Sequence, residues 1–189
     1  QIRRRLGLRR ARRSTAYKGK ITQRVSIDQR PSIVDEKSRI GDWEADLMLG
    51  GQGGGALLTV VERKSRWTCM ARLPSKQSEV VAEALINLLR PYKKQVKTVT
   101  LDNGNEFAQH VNVSKALQAS VYFAHPYCAW QRGLSENTNG LLRQYFPKGT
   151  NFKIIRQAKL DQIQKRLNQR PRKGLEFLTP QHIFQPGRS

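Results

Sequence analysis

Residues 43–49 alternate between hydrophobic and polar side chains with a period of two, the pattern of a half-buried β-strand. Two further strand-like segments, residues 57–62 and 67–73, follow with short connections. The sequence GGQGGG at residues 50–55 predicts a hairpin loop, and the polar residues 63–66 predict a turn. Three neighbouring strands joined in this way predict an antiparallel meander.

From residue 80 onward, segments with the apolar spacing of helices alternate with segments typical of strands. Residues 80–89 carry apolar side chains on one helical face, and Pro91 ends this helix. A strand, a helix, a strand and two helices then follow at residues 96–101, 107–117, 121–124, 133–145 and 158–169. The order β-β-β-α-β-α-β-α-α predicts an α/β fold: a mixed five-stranded sheet, three antiparallel strands followed by alternating strands and helices, flanked by helices.

The charge of the chain indicates a polyanionic partner. The sequence has 35 Lys and Arg against 14 Asp and Glu, which gives a net charge of +21 and a pI near 10.8. The positive charges of such a chain repel one another, and a bound polyanion relieves this repulsion. Nucleic acid is a suitable polyanion, because its phosphates bind Lys and Arg with release of counterions. A ribosomal-type or heparin-binding protein is the alternative that composition leaves open.

Much of this charge lies at the start of the chain. Residues 1–39 are basic and poor in large apolar side chains, whereas the composition after Gly41 is that of a folded domain. We therefore expect an N-terminal arm or linker at residues 1–39 and a folded core at residues 40–189. The arm is either a solvated tail or, as the overall charge favours, a DNA-binding segment. Its arginines include Arg3, Arg4, Arg5, Arg9, Arg10, Arg12 and Arg13.

Several other classes of protein fit the sequence poorly. The two cysteines, Cys69 and Cys128, form neither a disulfide framework nor a zinc-binding pattern, so a reducing compartment is the simpler interpretation. The sequence has no apolar run of the roughly 20 residues that a membrane span needs, so we expect no membrane partner.

Acidic residues in or next to the predicted strands and helices are the candidate catalytic residues of this basic chain. Asp42, Glu44 and Asp46 share one face of the first strand, and the pattern alone does not choose among them, although Asp46 lies well inside the strand between apolar residues. Asp102 closes the fourth strand, and Glu136 lies one turn into a helix. An exposed acidic stripe, an ordinary Asp-Asn-Gly turn and a surface glutamate are the alternatives for these three sites.

Together these carboxylates match the needs of metal-assisted phosphoryl transfer. Two hard divalent cations about 3.5–4 Å apart can clamp an in-line displacement. Mg²⁺ prefers oxygen ligands and keeps several waters, so a few carboxylates suffice. His110 and His182 are interpreted as structural or exposed, whereas His125 is close enough in sequence to the Glu136 helix to approach the site.

A set of motifs resembles the IS-thirty family of bacterial insertion-sequence transposases, within the integrase-core group. The motifs are GDWEADL at residues 41–47, VERKSR at 61–66, LDNGNEF at 101–107, WQRGLSENTNGLLRQYFPKG at 130–149, LNQRPRK at 167–173 and LTP at 178–180. The resemblance spans about residues 20–184. The block at 130–149 is highly specific, whereas a bare Asp-Asn-Gly is not. Two positions depart from the family pattern, which has Gly where Ala45 stands and Asn where Ser135 stands.

The resemblance implies a ribonuclease-H-like fold and an Asp-Asp-Glu site in an integrase-type catalytic core. By matching motifs, Asp46, Asp102 and Glu136 are the catalytic residues and the ligands of Mg²⁺ or Mn²⁺, as two ions. The implied partners are double-stranded DNA, as element ends and target, and further copies of the chain when assembled on DNA. The implied location is the bacterial cytoplasm, at the nucleoid. The family's upstream helix-turn-helix segments are not recognisable, so we expect a chain truncated at its N-terminus.

Three functional hypotheses follow. In the first, a transposase core cleaves DNA and transfers its 3′ ends, and basic residues neutralise phosphates. These are Arg132, Arg143, Lys148 and Lys153, together with Arg3, Arg4, Arg5, Arg9 and Arg10 of the arm. The second is a truncated, inactive transposase that only binds DNA. The third is a different nuclease of the same fold, such as a ribonuclease H or a junction resolvase, and the motif at residues 133–149 argues against it.

Overall fold

The computed structural model describes residues 21–126 and 128–184, in which five strands form one sheet with helices on both faces. The strands are β1 (Asp42–Leu49), β2 (Ala56–Glu62), β3 (Thr68–Leu73), β4 (Thr98–Leu101) and β5 (Ser120–Phe123). The helices are α1 (Ile33–Glu36), α2 (Ser78–Leu89), α3 (His110–Leu117), α4 (Gly133–Leu142), α5 (Gln157–Gln169) and α6 (Pro180–Phe184).

The sheet is mixed and has the strand order β3-β2-β1-β4-β5. Strands β1, β2 and β3 form an antiparallel meander, whereas β4 and β5 run parallel to β1. Asp42 lies opposite Thr98 and Glu44 lies opposite Thr100 in the parallel pair. Two residues further along each strand, Asp46 is still within β1 and paired with Thr59 of β2, whereas Asp102 directly follows the end of β4.

Two hydrophobic clusters cover the two faces of the sheet. Trp43 and Ala45 of β1 pack with the apolar faces of α2 and α3 in the larger cluster. Met48 of β1 belongs to the smaller cluster, which also contains Leu142 of α4 and Leu160 of α5. Every residue of β2 is buried, as expected for a strand covered on both faces. Because side chains alternate along β1, its acidic residues point to the side of α4 and α5.

The glycines of the β1–β2 hairpin allow the segment after α4 to pack closely on it. Gly51 N–H donates to the carbonyl of Thr150 at 3.2 Å, and Phe152 N–H donates to the carbonyl of Gly54 at 2.7 Å. A Cβ atom at Gly51 would lie only 2.7 Å from the carbonyl oxygen of Gly149. The predicted loop therefore also anchors the chain that leaves α4.

All the predicted strands and helices are present, and the corrections concern their ends. The helix predicted for residues 133–145 ends at Leu142, and that for 107–117 begins at His110 because Asn105–Phe107 forms a 3-10 turn. The short helices α1 and α6 were not predicted, because four or five residues show no hydrophobic period.

Residues 21–39, the described part of the predicted arm, pack against the core. The carbonyl of Val25 accepts a hydrogen bond from Phe123 N–H at 2.9 Å, and Val34 is fully buried. The division at residue 39 stays a prediction, and the arginines of residues 3–13 lie outside the described residues. Within the described chain, no helix is long and apolar enough to cross a membrane.

Candidate active site

The candidate site lies at the carboxyl end of β4, where the fold brings two aspartates to one guanidinium, that of Arg132. Asp46 comes from the middle of β1 and Asp102 directly follows β4. Nη1 of Arg132 lies 3.1 Å from Oδ1 of Asp46, and Nη2 lies 3.7 Å from Oδ2 of Asp102. The ligands of open α/β sheets gather at this end of the strands. The arrangement therefore presents two carboxylates to a single positive charge.

Asp46 is held in one orientation by neighbouring donors. Its Oδ2 accepts a hydrogen bond of 2.8 Å from Nδ2 of Asn139, and its Oδ1 accepts one of 2.9 Å from Leu47 N–H. The Asn139 side chain is itself oriented by the hydroxyl of Thr59, 3.1 Å from its Oδ1. These contacts fix the carboxylate before any substrate arrives, a requirement for precise placement of a ligand.

The electrostatic setting of Asp46 is unusual for an aspartate. Burial raises its pKa, the proximity of Asp102 adds to the rise, and the guanidinium of Arg132 acts in the opposite direction. A raised pKa with specific charged neighbours is typical of functional carboxylates. The carboxylate of Asp102 accepts a hydrogen bond from Gly104 N–H at 2.8 Å, within the predicted Asp-Asn-Gly turn.

The third predicted carboxylate is not gathered with the other two. Glu136 is exposed in the first turn of α4, three residues before Asn139 and hence on a neighbouring part of the same helical face. Among the described residues, no three His, Cys, Asp or Glu side chains surround a common point. The Asp46–Asp102 pair nevertheless suits a hard cation, since its donors are carboxylate oxygens and a guanidinium already lies between them.

The burial of Asp42 and Glu44 rules out one alternative from the sequence, an exposed acidic stripe on the first strand. They are 0% and 1% exposed. Asp42 accepts hydrogen bonds from Arg39 and Thr98, and Glu44 pairs with Arg63. Buried charges need such partners, so these two residues are structural ion pairs.

A cleft of about 440 Å³ opens beside Asp102. Its walls include Asp102, Arg132, His125 and Lys76, so His125 does approach the site. Nε2 of His125 lies 2.8 Å from Oδ1 of Asp28, in the segment before the sheet. Sequence reasoning missed Thr59, Lys76 and Asn139. Only Asn139 gave a signal, its spacing of one helical turn from Glu136.

The predicted DNA-binding residues differ in their surroundings. Arg132 contacts carboxylates rather than solvent, and its Nε is buried without a hydrogen-bond partner in the described chain. Nη1 of Arg143 lies 3.5 Å from the carbonyls of Phe146 and Pro147. Lys148 and Lys153 are exposed. Lys153 borders a second cavity beside the glycine loop, which Lys76 also lines. Contact with DNA stays a prediction for all four.

The chain matches a family model and several proteins of known type. Residues 36–129 match the model of the integrase core domain. The chain is 43% identical, over 96% of its length, to the transposase for insertion sequence element IS4351 of Bacteroides fragilis. It is 40% identical, over 88% of its length, to transposase InsI for insertion sequence element IS30A of Escherichia coli strain K12. These alignments cover 56% and 44% of the relatives, so the chain spans about half their length.

Solved integrase structures share the fold. The chain superposes on a chain of the simian T-cell lymphotropic virus intasome in complex with PP2A regulatory subunit B56 gamma with a TM-score of 0.64 at 18% identity, covering 79% of this chain and 56% of that one. For the catalytic core domain of BIV integrase the TM-score is 0.55 at 21% identity, covering 76% and 92%. The predicted mixed sheet is thus the ribonuclease-H-like fold of integrase catalytic cores. Members of this family generally depend on divalent metal ions.

Proposed function

Because this chain belongs to the family of integrase core domains, we propose that it is the catalytic core of a DNA transposase that cleaves DNA strands and transfers the 3′ ends of an insertion sequence. The observation that carries the proposal is that the carboxylates of Asp46 and Asp102 both lie beside the guanidinium of Arg132 at the carboxyl end of β4. The names of the relatives, transposases for insertion sequence elements, support the same reaction class.

We assign Asp46, Asp102 and Glu136 as the residues that would hold Mg²⁺ or Mn²⁺, as two ions. When bound, such ions supply an activated attacking oxygen and stabilise the leaving oxygen of a phosphodiester. Asp46 lies beside the guanidinium that also approaches Asp102, and Asn139 sets the orientation of its carboxylate, so Asp46 would be the ligand that both ions share. Glu136 is exposed one turn from Asn139, so a rotation of its side chain would bring the third carboxylate toward the pair.

The proposed reaction has two displacements and no covalent enzyme intermediate. Water first attacks the phosphorus at the element end and frees a 3′-hydroxyl. That hydroxyl oxygen then attacks a target phosphodiester and loses its proton to solvent, while the target strand's own 3′ oxygen leaves. One P–O bond forms and one breaks in each displacement. The protein's contribution is positioning and charge, which dominate phosphoryl transfer.

Phosphate contacts would come from the basic residues around the site. Arg132, once released from the aspartates, carries a guanidinium whose shape suits a phosphate. Arg143, Lys148 and Lys153 extend the positive surface along α4 and the segment after it. Arg3, Arg4, Arg5, Arg9 and Arg10 would add sequence-independent affinity. We expect double-stranded DNA as substrate, assembly of several copies on it, and a place at the nucleoid of the bacterial cytoplasm.

The test is strand transfer by the purified chain with Mg²⁺ or Mn²⁺, a pre-cleaved duplex with a free 3′-hydroxyl and a supercoiled plasmid target. We expect joined products that disappear in Asp46→Asn, Asp102→Asn and Glu136→Gln. Asp161→Asn is the matched control, because Asp161 is an exposed carboxylate of α5 that accepts a hydrogen bond from Gln157 of the same helix. Salt-sensitive DNA binding without joined or nicked product would overturn the proposal in favour of an inactive DNA-binding remnant.

A further inference from the structure

Helix α4 begins without a local cap. The residue before it, Arg132, makes no capping hydrogen bond with its side chain, because a guanidinium has only donors and cannot accept from a backbone N–H. The first backbone N–H groups of a helix have no partner within the helix and need an acceptor from elsewhere. This requirement matters here because the first turn of α4 carries Glu136 and follows directly from Arg132.

The missing acceptor comes from β1, 91 residues earlier in the sequence. Oε2 of Glu44 accepts a hydrogen bond from Ser135 N–H at 2.9 Å, and both residues are buried. A carboxylate at this place also complements the positive end of the helix dipole. Ser135 departs from the family residue type, yet it contributes its backbone N–H here, which any residue except proline supplies.

The other oxygen of Glu44 is fixed by a second buried group. Oε1 of Glu44 lies 2.6 Å from Nη1 of Arg63, which is 5% exposed. Arg63 in turn donates to the carbonyl of Val34 at 3.0 Å, and its Nη2 lies 3.3 Å from Asp35. Glu44 therefore has no freedom to rotate away from α4, and its charge is compensated on the side opposite the helix.

We propose that Glu44 is a positioning residue of the reaction: it fixes the start of α4 relative to β1, and thereby holds the helical turn that carries Glu136 on the face of the sheet where Asp46 lies. Asp46 lies two residues from Glu44 on the same face of β1. One strand therefore carries both the carboxylate of Asp46 and the residue that anchors α4, the helix of Glu136. This role rests on the proposed function. The three acidic residues of β1 thus differ in their tasks, since the hydrogen bonds of Asp42 within the described residues go to Arg39 and Thr98.

The test compares two double variants that share the substitution Arg63→Met, which removes the buried positive charge from both. Glu44→Gln with Arg63→Met keeps an oxygen that can accept from Ser135 N–H. Glu44→Leu with Arg63→Met has nearly the same volume and no acceptor. Any loss of stability from the ion pair is common to both, so their difference isolates the bond to α4. Asp42→Asn is the control for a buried carboxylate of the same strand.

Three measurements decide the outcome. We expect hydrogen exchange at the Ser135 amide, followed by residue-resolved NMR, to be about tenfold faster in the leucine variant than in the glutamine variant. Half-saturation by Mn²⁺, measured from water proton relaxation, should require several-fold more metal in the leucine variant. In strand transfer its kcat should fall while its KM for DNA stays the same. Asp42→Asn should change none of these relative to the unaltered chain at a temperature where both are folded.

Equal exchange rates and equal Mn²⁺ half-saturation in the two double variants would overturn the role of Glu44. Failure of the proposed function has a different signature, since Asp102→Asn would then leave both Mn²⁺ relaxation and strand transfer unchanged while the difference in exchange at Ser135 persists.

Discussion

Replacement of Arg132 by glutamine should tighten the binding of divalent metal, although it removes a basic residue from a DNA-binding surface. The guanidinium of Arg132 lies between Asp46 and Asp102, 3.1 and 3.7 Å from their oxygens. A divalent ion that binds both carboxylates has to displace it. The variant abolishes this competition and leaves the carboxylates in place, because Asn139 and Leu47 N–H still orient Asp46.

The size of the effect follows from the two contacts. The three side chains are 12%, 17% and 30% exposed, so neither ion pair is fully shielded from water. Partly exposed pairs are worth about 1 kcal/mol each. Loss of both lowers the cost of metal entry by about 2 kcal/mol, which corresponds to roughly 30-fold tighter binding.

The assay is calorimetric titration of the chelator-treated protein with Mn²⁺. Arg143→Gln is the matched control, because Nη1 of Arg143 lies 3.5 Å from the backbone carbonyls of Phe146 and Pro147. Asp46→Asn should abolish the heat of binding. Unchanged or weaker Mn²⁺ binding by Arg132→Gln would refute the reasoning, because it would mean that the guanidinium supports the metal site rather than competes for it.

Two further outcomes are expected from the same site. Because burial raises the pKa of Asp46, the affinity for Mn²⁺ should fall as the pH drops through that raised pKa, at a higher pH than for an ordinary aspartate. Arg132 lowers this pKa, so calorimetry across pH should show the fall in affinity beginning at a still higher pH in Arg132→Gln. Affinity curves that coincide in the two proteins would contradict the electrostatic argument. Asn139→Ala removes the donor to Asp46 and should weaken Mn²⁺ binding about tenfold. The control is Asn112→Ala on α3, where the Asn112 side chain donates to Gln109. Equal affinities in the two variants would mean that Asn139 does not orient the carboxylate.

Much of the fold could be predicted from the hydrophobic pattern. The period of two over residues 43–49 corresponds to β1, the apolar segment 57–62 corresponds to β2, and the helical period over residues 80–89 lies within α2. The order of these elements indicated a mixed sheet, since short connections favour antiparallel neighbours and crossover helices favour parallel ones. Local rules suffice there because each element's pattern reports the burial of its own faces.

The acidic residues of β1 show where the sequence stops being informative. Their shared parity correctly indicated one face, and the sequence motif singled out Asp46. Parity could not distinguish a solvent-exposed stripe from buried ion pairs, because it says which residues share a face and not what covers that face. The structure shows α4 lying over it, with Glu44 bonded to Ser135.

The sequence by itself determined the elements, the basic character and the candidate carboxylates of this protein. Only the tertiary structure decided that Arg132 lies between two aspartates, that Asn139 orients Asp46, and that Glu44 caps a helix 91 residues away. Such contacts depend on which strands are neighbours and on how a helix crosses the sheet. A one-dimensional pattern does not contain that information, because residues distant in sequence meet only once the sheet order β3-β2-β1-β4-β5 is formed.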